Sequence, residues 1–365
     1  MRIIINLFNI VSDSEVTPFT LFVHSIVHEL AKQRPSDEFV VFSSSDKLAN
    51  HYLTNVKHHL LQPKNRNAAT ALNYHKLVLP KMFQSLNPDL IIDGSGVVFN
   101  IRKYKQIVLL DESHINGINH LWYKLFFPKY IRYAKRVVSF SREATELCLK
   151  NKFNNAEKLV KFRYTASNHF FVHELEELLT IKTQYTDSKP YFVWFCDASN
   201  VALWEVVFKA FSLFKKWQHS SMKLLVINYS YSHIIEIKIP TYKYKDDVVI
   251  VNNPDEHISS RLLAASYAMV YPAKLNYLPL PVLQAIKCNI PAIVTKSIAD
   301  AAGNTEAFYW MEEPEPQSFS NQMILCYKNE EFRKQVIQNA NAITESHSFS
   351  HLTEQMNCLI DEVVV

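Results

Sequence analysis

Short runs of β-branched and other apolar residues alternate with amphipathic helical stretches along most of the chain. In the first half the strand-like runs are "RIIINLF", "EFVVFSS", "PDLIID", "QIVLLD" and "RVVSFS", and the helical stretches are "PFTLFVHSIVHELAKQ" and "LWYKLFFPKYIRYAKR". This alternation predicts parallel strands joined by crossover helices, because a parallel connection has to return along the sheet. We therefore expect the first half to form a Rossmann-like domain.

The same pattern begins again after a charged, helical segment at residues 169–188. The strand-like runs are "KPYFVWFCD", "MKLLVINYS", "DDVVIVN", "AMVYPA" and "PAIVT", the helices are "WEVVFKAFSLFKKWQ", "HISSRLLAAS" and "LPVLQAIKC", and the tail from Asn329 is helical in pattern throughout. We predict an α/β chain of two Rossmann-like domains whose parallel sheets face an interdomain cleft. The domains are expected at 1–168 and 189–345, with 169–188 as connector and a C-terminal helix at 346–365 that packs back on the first domain.

Composition argues against several classes of protein. Net charge is only +4, from 39 basic and 35 acidic residues, so no nucleic-acid partner is expected. The five cysteines are scattered without CxxC spacing, which argues against a disulfide framework or a zinc site and favours a reducing cytoplasm. No run reaches the roughly 18–20 apolar residues of a membrane span. Only four glycines occur in the chain, which is few for loops that cradle phosphates.

Several segments follow one another in the order and spacing of a known family. They include "HELAKQRPSDEFVVF", "NPDLIID" and "YIRYAKRVVSFSREATELCLKNK" in the first half, and "KPYFVWF", "LLAASYAMVYP" and "LPVLQAIKCNIPAIVT" in the second. The chain resembles the GT-B glycosyltransferases of family 4, also called glycosyl transferases group 1. The resemblance implies a nucleotide-sugar donor held mainly by the second domain and an acceptor held mainly by the first. It also implies retaining transfer without an obligatory metal or another cofactor.

The donor loop of that family reads E-G-F-G-L-P-x-L-E-A, and here it corresponds to "NYLPLPVLQA". The two family glutamates, which contact the donor sugar and the ribose, fall on Asn276 and Gln284, while the loop glycines fall on Tyr277 and Pro279. An amide still forms hydrogen bonds with a hydroxyl but carries no charge. The resemblance therefore makes Gln284 and Asn276 the first candidates for donor binding, with Ser199 and Asn228 beside them.

The family also supplies an arginine and a lysine that stabilise the diphosphate leaving group. These basic positions fall on Val201 and Ala202, and the glycine before them falls on Cys196, after which Asp197 adds a negative charge. Losing two charge-assisted clamps at roughly 1.5–3 kcal/mol each is expected to slow transfer by several powers of ten. No residue is therefore a firm catalytic candidate, although the family's catalytic positions map to Leu110, Val201, Ala202 and Asn276.

The acceptor side departs from the family in the same way. The glycine-rich loop after the first strand is replaced by a segment that ends at Thr20, and the family histidine near the reacting centre falls on Leu110. Asp111 follows that position, as an aspartate does in the family. Thr20 and Asp111 are the acceptor-side candidates.

Three functions remain open from the sequence. The preferred one is a glycosyltransferase-like protein of polysaccharide or glycoconjugate synthesis whose transfer is impaired or lost and which acts as a binding or partner subunit, for example of another glycosyltransferase. The alternative is an active retaining transferase that acts on a glycan or a lipid-linked acceptor. The third is binding of a sugar or glycan without nucleotide.

The basic, aromatic stretch at 121–136 has two interpretations. It suits contact of a cytoplasmic protein with the anionic inner face of a membrane. Its aromatic spacing also fits burial against the first sheet, and that interpretation is preferred.

Overall fold

A computed structural model describes residues 1–8, 17–45, 48, 53–61, 70, 73–110, 131–150, 156–197, 199–230, 233–345 and 348–364. The chain divides into two compact units. The first unit comprises Met1–Tyr164 and Ser350–Val365, and the second comprises Thr165–Phe349.

The first unit is built on a seven-stranded sheet in which all strand pairs are parallel. Its strand order is β3-β2-β1-β4-β5-β6-β7. The strands are β1 Arg2–Asn6, β2 Glu38–Ser43, β3 Val56–Leu60, β4 Leu90–Asp93, β5 Lys105–Leu110, β6 Arg136–Ser139 and β7 Leu159–Lys161. The helices are α1 Pro18–Gln33, α2 Leu79–Leu86, which follows a π-helical turn at Tyr74–Val78, and α3 Arg142–Lys150.

The second unit is built on a six-stranded parallel sheet of order β10-β9-β8-β11-β12-β13. The strands are β8 Tyr191–Cys196, β9 Lys223–Asn228, β10 Val248–Asn252, β11 Ala268–Tyr271, β12 Ala292–Thr295 and β13 Tyr309–Met311. The helices are α4 Leu175–Thr186, α5 Trp204–Gln218, α6 Ile234–Lys238, α7 Glu256–Ala264, α8 Leu280–Lys287, α9 Lys296–Ala301, α10 Pro316–Lys328 and α11 Glu330–Glu345.

The prediction of an α/β chain with parallel sheets is confirmed, because each predicted strand is present and pairs in parallel. The four innermost strands β1, β4, β8 and β11 are almost entirely buried, which explains their continuous apolar runs. Three edge strands, β3, β7 and β13, were not predicted. β3 and β7 are short and largely solvent-accessible, and β13 has only three residues, so none carries a strong pattern.

Two local predictions are wrong, and one of them falls partly on undescribed residues. Residues 121–130 of the expected helix 121–136 lie outside the described part of the chain, whereas its end forms a 3-10 turn at Ile131–Tyr133 and then enters strand β6 at Arg136. The tail is not helical throughout, because Ser348 is not helical between α11 and the last helix, α12 Phe349–Val364.

Helix α12 belongs to the first unit for all but its first residue. Leu352, Met356 and Ile360 lie four residues apart and are buried, as one apolar face of a helix requires. Polar contacts hold the last turn: Arg34 Nη2 lies 2.8 Å from Asp361 Oδ1, and Lys105 Nζ donates to the Val364 carbonyl at 2.5 Å. The end of the chain is therefore fastened to α1 and to the start of β5.

Both sheets have a switch point, where the chain continues on the opposite side of its first strand. In the first sheet it lies between β1 and β4, and in the second between β8 and β11. Ligands of open α/β sheets bind at the carboxyl ends of the strands at such points. We therefore expect a ligand-binding site at one or both of these sheet edges.

We predict that Arg34→Gln destabilises the first unit by about 1–3 kcal/mol, because it removes charged hydrogen bonds to Asp37 (2.6 Å) and Asp361. Hydrogen exchange should show faster exchange in α12 and α1. The control is Lys32→Gln, which removes one positive charge from the last turn of α1, next to Arg34. Lys32 is half exposed and pairs only loosely with Glu29 at 3.6 Å. Equal protection of α12 in both variants would contradict the prediction.

Candidate functional site

The switch point of the second sheet carries a hydrogen-bonded acid. Asp197 follows β8, and Tyr271 ends the neighbouring strand β11. Tyr271 Oη donates to Asp197 Oδ2 at 2.7 Å, while the backbone N–H and the hydroxyl of Ser199 both donate to Oδ1, the former at 2.8 Å. Ser199 Oγ also lies 3.0 Å from Tyr271 Oη. The carboxylate is thus fixed at the edge where a ligand of this fold class sits.

The turn that carries Asp197 is organised by Asn200, which is completely buried. Its Oδ1 accepts from Trp194 Nε1 and from the Asp197 N–H, both at 3.2 Å, and its Nδ2 donates to the Phe195 carbonyl at 2.9 Å. Every polar atom of the Asn200 side chain therefore binds strand β8 or its end. This arrangement leaves little freedom for the turn to move Asp197 aside.

The electrostatics of this edge do not favour an anion. Burial raises the pKa of the Asp197 carboxyl, although the hydrogen bonds from Ser199 and Tyr271 act in the opposite direction. At the two positions expected to carry positive charge, Val201 lies in a 3-10 turn and packs partly buried against the core, whereas Ala202 is exposed. The turn therefore presents an acid and two apolar residues.

Asn228, another candidate, lies at the end of β9 and is 5% exposed. Its Nδ2 donates to Asn252 Oδ1 at 2.8 Å, and its Oδ1 accepts from the N–H and the hydroxyl of Ser230 at 3.1 and 2.6 Å. These bonds tie the ends of β9 and β10 together. Asn228 acts here as a structural amide of the edge.

Gln284 lies on α8 and is only 4% exposed. Its Oε1 is buried and has no hydrogen-bond partner among the described residues. A buried carbonyl without a partner costs about 1–3 kcal/mol, so a donor from a bound molecule would stabilise this side chain. The other loop candidate, Asn276, is exposed in the segment between β11 and α8, and Tyr277 beside it is half-buried. The two candidates therefore lie in different environments.

Two lysines lie on the segments that leave β11 and β12. Lys274 Nζ is 2.6 Å from Glu313 Oε2, and Lys296 Nζ is 2.6 Å from Glu312 Oε1. Lys296 Nζ also lies 5.2 Å from the centre of the Trp310 ring. Lys274, Glu312 and Glu313 are exposed and Lys296 is half-buried. Surface pairs of this kind contribute about 0–1 kcal/mol. These lysines can therefore exchange partners easily.

On the acceptor side, the structure assigns packing or capping positions to two of the three residues. Leu110 is completely buried at the end of β5, in an apolar cluster with Val108 and Val137. Thr20 lies in the first turn of α1, where its N–H donates to the capping hydroxyl of Thr17 at 3.0 Å. Asp111 lies outside the described residues.

The switch point of the first sheet is closed by its own side chains. Asn6 Nδ2 donates to Asp93 Oδ2 at 2.6 Å and to Ser95 Oγ at 3.1 Å, and all three side chains are buried. Gly94 leaves no spare room, because a Cβ there would lie 2.8 Å from Leu7 Cδ2. In the described part of this edge, the polar side chains therefore already form hydrogen bonds with one another.

The described part of the chain contains neither a candidate metal site nor a membrane-spanning helix. No group of three or more His, Cys, Asp or Glu side chains there is arranged to hold a metal ion. No described helix combines the length and apolar character needed to cross a membrane.

Sequence reasoning did not identify the partners of the candidate residues. It noted the charge of Asp197 but not its bond to Tyr271, which lies 74 positions away in the chain. It also missed the Asn200 turn and the two lysine pairs. The "DASN" sequence is a usable signal for the turn, because Asp and Asn side chains bond nearby backbone. The other contacts depend on strand order.

Most of the second unit matches a known family model. Residues 189–342 match the family model for glycosyl transferases group 1. A comparison with curated protein sequences finds no match.

Solved structures resemble the whole chain. WaaG, a glycosyltransferase involved in lipopolysaccharide biosynthesis, is 9% identical, with 97% of this chain and 98% of WaaG aligned at a TM-score of 0.73. HepE of Anabaena, crystallised with UDP and glucose, is 13% identical over 99% and 100% of the chains, also at 0.73. Sucrose-phosphate synthase of Thermosynechococcus elongatus is 11% identical over 99% and 98%, again at 0.73.

We predict that the native protein and Asp197→Asn differ in how their stability changes with pH, because only the native protein has a titrating carboxyl at this position. A raised carboxyl pKa contributes stability at low pH that is lost as the pH rises through the pKa of the folded state. From pH 4 to pH 7, the free energy of unfolding of the native second unit should therefore fall relative to that of Asp197→Asn. At pH 7 the variant should be at most about 1 kcal/mol less stable than the native protein, or more stable than it.

Urea unfolding followed by tryptophan fluorescence measures this difference, since four of the five tryptophans lie in the second unit. Asp246→Asn is the control, because Asp246 is exposed and has no ion pair in the described part of the chain. If the native protein instead becomes more stable relative to Asp197→Asn as the pH rises, the raised pKa of Asp197 is contradicted.

Proposed function

We propose that this is a glycosyltransferase-like protein that no longer transfers sugar from a nucleotide donor. The match of residues 189–342 to the glycosyl transferases group 1 family and the GT-B fold of the whole chain support this proposal. Its role is binding or partnership, for example with an active glycosyltransferase, in polysaccharide or glycoconjugate synthesis. The lipopolysaccharide context of WaaG supports this setting. A cytoplasmic location fits the five free cysteines, four of which are buried.

The observation that carries the proposal is the Asp197 carboxylate at the switch point of the second sheet. A diphosphate placed there meets an acid that Tyr271 and Ser199 hold in position. The residues that follow, Val201 and Ala202, supply no positive charge. Since catalysis at this step rests on stabilising the charge that develops on the leaving group, its loss removes the main source of rate enhancement.

Gln284 supports retained binding of a neutral group. Its unsatisfied Oε1 accepts one hydroxyl without needing charge, so a sugar or ribose is a suitable ligand. One neutral hydrogen bond contributes about 0.5–1.5 kcal/mol, which does not replace two charged clamps. We therefore expect the phosphates of a nucleotide to add nothing to its affinity.

Calorimetry with uridine, UMP and UDP, and with the guanosine and adenosine series, tests this expectation. Each added phosphate should leave unchanged or lower the part of the affinity that Gln284→Ala removes. The triple variant Asp197→Asn, Val201→Arg, Ala202→Lys should bind UDP at least about tenfold more tightly than the native protein does, because the anion then meets two cations.

The matched control changes charge by the same amount elsewhere. Asp246→Asn, Thr180→Arg, Gln184→Lys alters three exposed positions of the second unit and should leave UDP affinity unchanged. Tight binding of UDP by the native protein, weakened by Gln284→Ala, would contradict the proposal.

A second function is favoured by one specific observation, the lysines on the segments leaving β11 and β12. If Lys274 and Lys296 release Glu313 and Glu312 and bind the diphosphate instead, the chain is an active retaining transferase with a relocated clamp. Turnover of a nucleotide sugar that is lost in Lys274→Gln and Lys296→Gln, but kept in Lys209→Gln, would favour this function. Lys209 is an exposed lysine paired with Glu205 on α5.

A further inference from the structure

Tyr133 in the first unit lies between two arginines. The guanidinium carbons of Arg102 and Arg132 are 5.2 and 5.0 Å from the centre of its ring. Arg102 Nη2 and Arg132 Nη2 donate to the same phenolic oxygen at 3.2 and 3.0 Å. One tyrosine therefore holds two positive charges side by side at the surface.

This cluster lies at the edge of the first sheet opposite its switch point. Arg102 lies three residues before β5, and Tyr133 lies three residues before β6, so both are near the amino ends of parallel strands. Asn6 and Asp93 stand at the carboxyl ends of β1 and β4. The cluster thus lies at the opposite edge of the first sheet from the carboxyl ends of its strands, where ligands of open α/β sheets bind.

The positive charges of the cluster are not balanced within the described part of the chain. Arg102 and Arg132 are exposed, as are their sequence neighbours Lys103 and Lys135, and none of the four forms an ion pair with a described carboxylate. Other cations of the same edge are paired: Arg2 Nε lies 2.6 Å from Glu38 Oε2, and Arg136 binds Glu362. Among the described residues of this edge, the cations without an ion pair therefore lie around Tyr133.

Two guanidinium groups fixed on one oxygen form a preorganised anion receptor. Like charges repel, so the arrangement is favourable only when an anion occupies it or water screens it. Each guanidinium uses one N–H on Tyr133 and has further donors in the planar geometry that matches phosphate oxygens. The pKa of Tyr133 is lowered by its hydrogen bonds to Arg102 and Arg132, in keeping with the strong local positive field.

We propose that Arg102, Arg132 and Tyr133 bind a phosphate group, with Lys103 and Lys135 extending the positive surface. The phosphate belongs either to an anionic lipid headgroup or to a soluble phosphate ester. In both cases the site works independently of sugar transfer and of Asp197.

Two binding measurements separate the sources. Sedimentation with vesicles of phosphatidylglycerol and phosphatidylcholine in equal parts, against pure phosphatidylcholine, tests the lipid. Titration with glycerol phosphate in the absence of vesicles, followed by calorimetry, tests the soluble ester. Arg102→Gln, Arg132→Gln should weaken the observed binding about thirtyfold, given about 1 kcal/mol for each cation near an anionic surface.

The control is Lys209→Gln, Lys334→Gln, which removes the same charge from two exposed, carboxylate-paired lysines of the second unit and should leave binding unchanged. Tyr133→Leu keeps every charge but removes the shared oxygen and ring, and should weaken binding severalfold, while Tyr133→Phe should have a smaller effect.

Vesicle binding lost in the arginine variant identifies a lipid phosphate, and glycerol phosphate binding lost in the same variant identifies a soluble one. Hydrogen exchange of β5 and β6 checks that the variants fold. Absence of binding to both probes, or equal weakening in the lysine control, overturns the proposal.

Discussion

Parallel pairing of β8 with β9 on one side and β11 on the other is the constraint on which the candidate site depends. Parallel strands end at the same edge, so the segments after all three strands meet there. Asp197, Asn228 and Tyr271 are distant in sequence and become neighbours of one edge only through this pairing. The sheet therefore decides which side chains a ligand meets.

At that edge the structure places a carboxylate. Asp197 is held on both oxygens, and Asn200 fixes the turn beneath it, so the acid is part of a rigid structure. In our proposal, the remaining attraction for a ligand comes from neutral groups such as the Gln284 carbonyl, which is buried without a hydrogen-bond partner among the described residues. One neutral hydrogen bond at about 0.5–1.5 kcal/mol is smaller than two charged ones at about 1.5–3 kcal/mol each. This difference in hydrogen-bond energy supports our proposal that transfer from a nucleotide sugar is lost.

The sequence predicted the inner strands well because each is buried on both faces and reads as a continuous apolar run, as "YFVWFC" of β8 does. Edge strands escaped prediction because "VKHHL" of β3 and "LVK" of β7 are accessible to solvent and tolerate polar residues. The described end of the helix expected at 121–136 is not α-helical, because Arg136 already pairs with Ile107 and the β-branched pair Val137–Val138 continues the sheet. The resemblance to a family indicated which residues lie at the candidate site, but it did not indicate which side chains they bind. The bond between Tyr271 and Asp197 and the balance of Lys274 by Glu313 join positions that only strand order brings together.

The phosphorus-31 NMR spectrum of UDP in the presence of the protein tests most directly whether the second unit holds a diphosphate. The protein should carry Arg102→Gln and Arg132→Gln, so that the basic cluster of the first unit does not contribute. The account predicts that both phosphorus resonances keep their shift and line width at pH 7 when stoichiometric protein is added. A shift or broadening of these resonances that Gln284→Ala abolishes would contradict it.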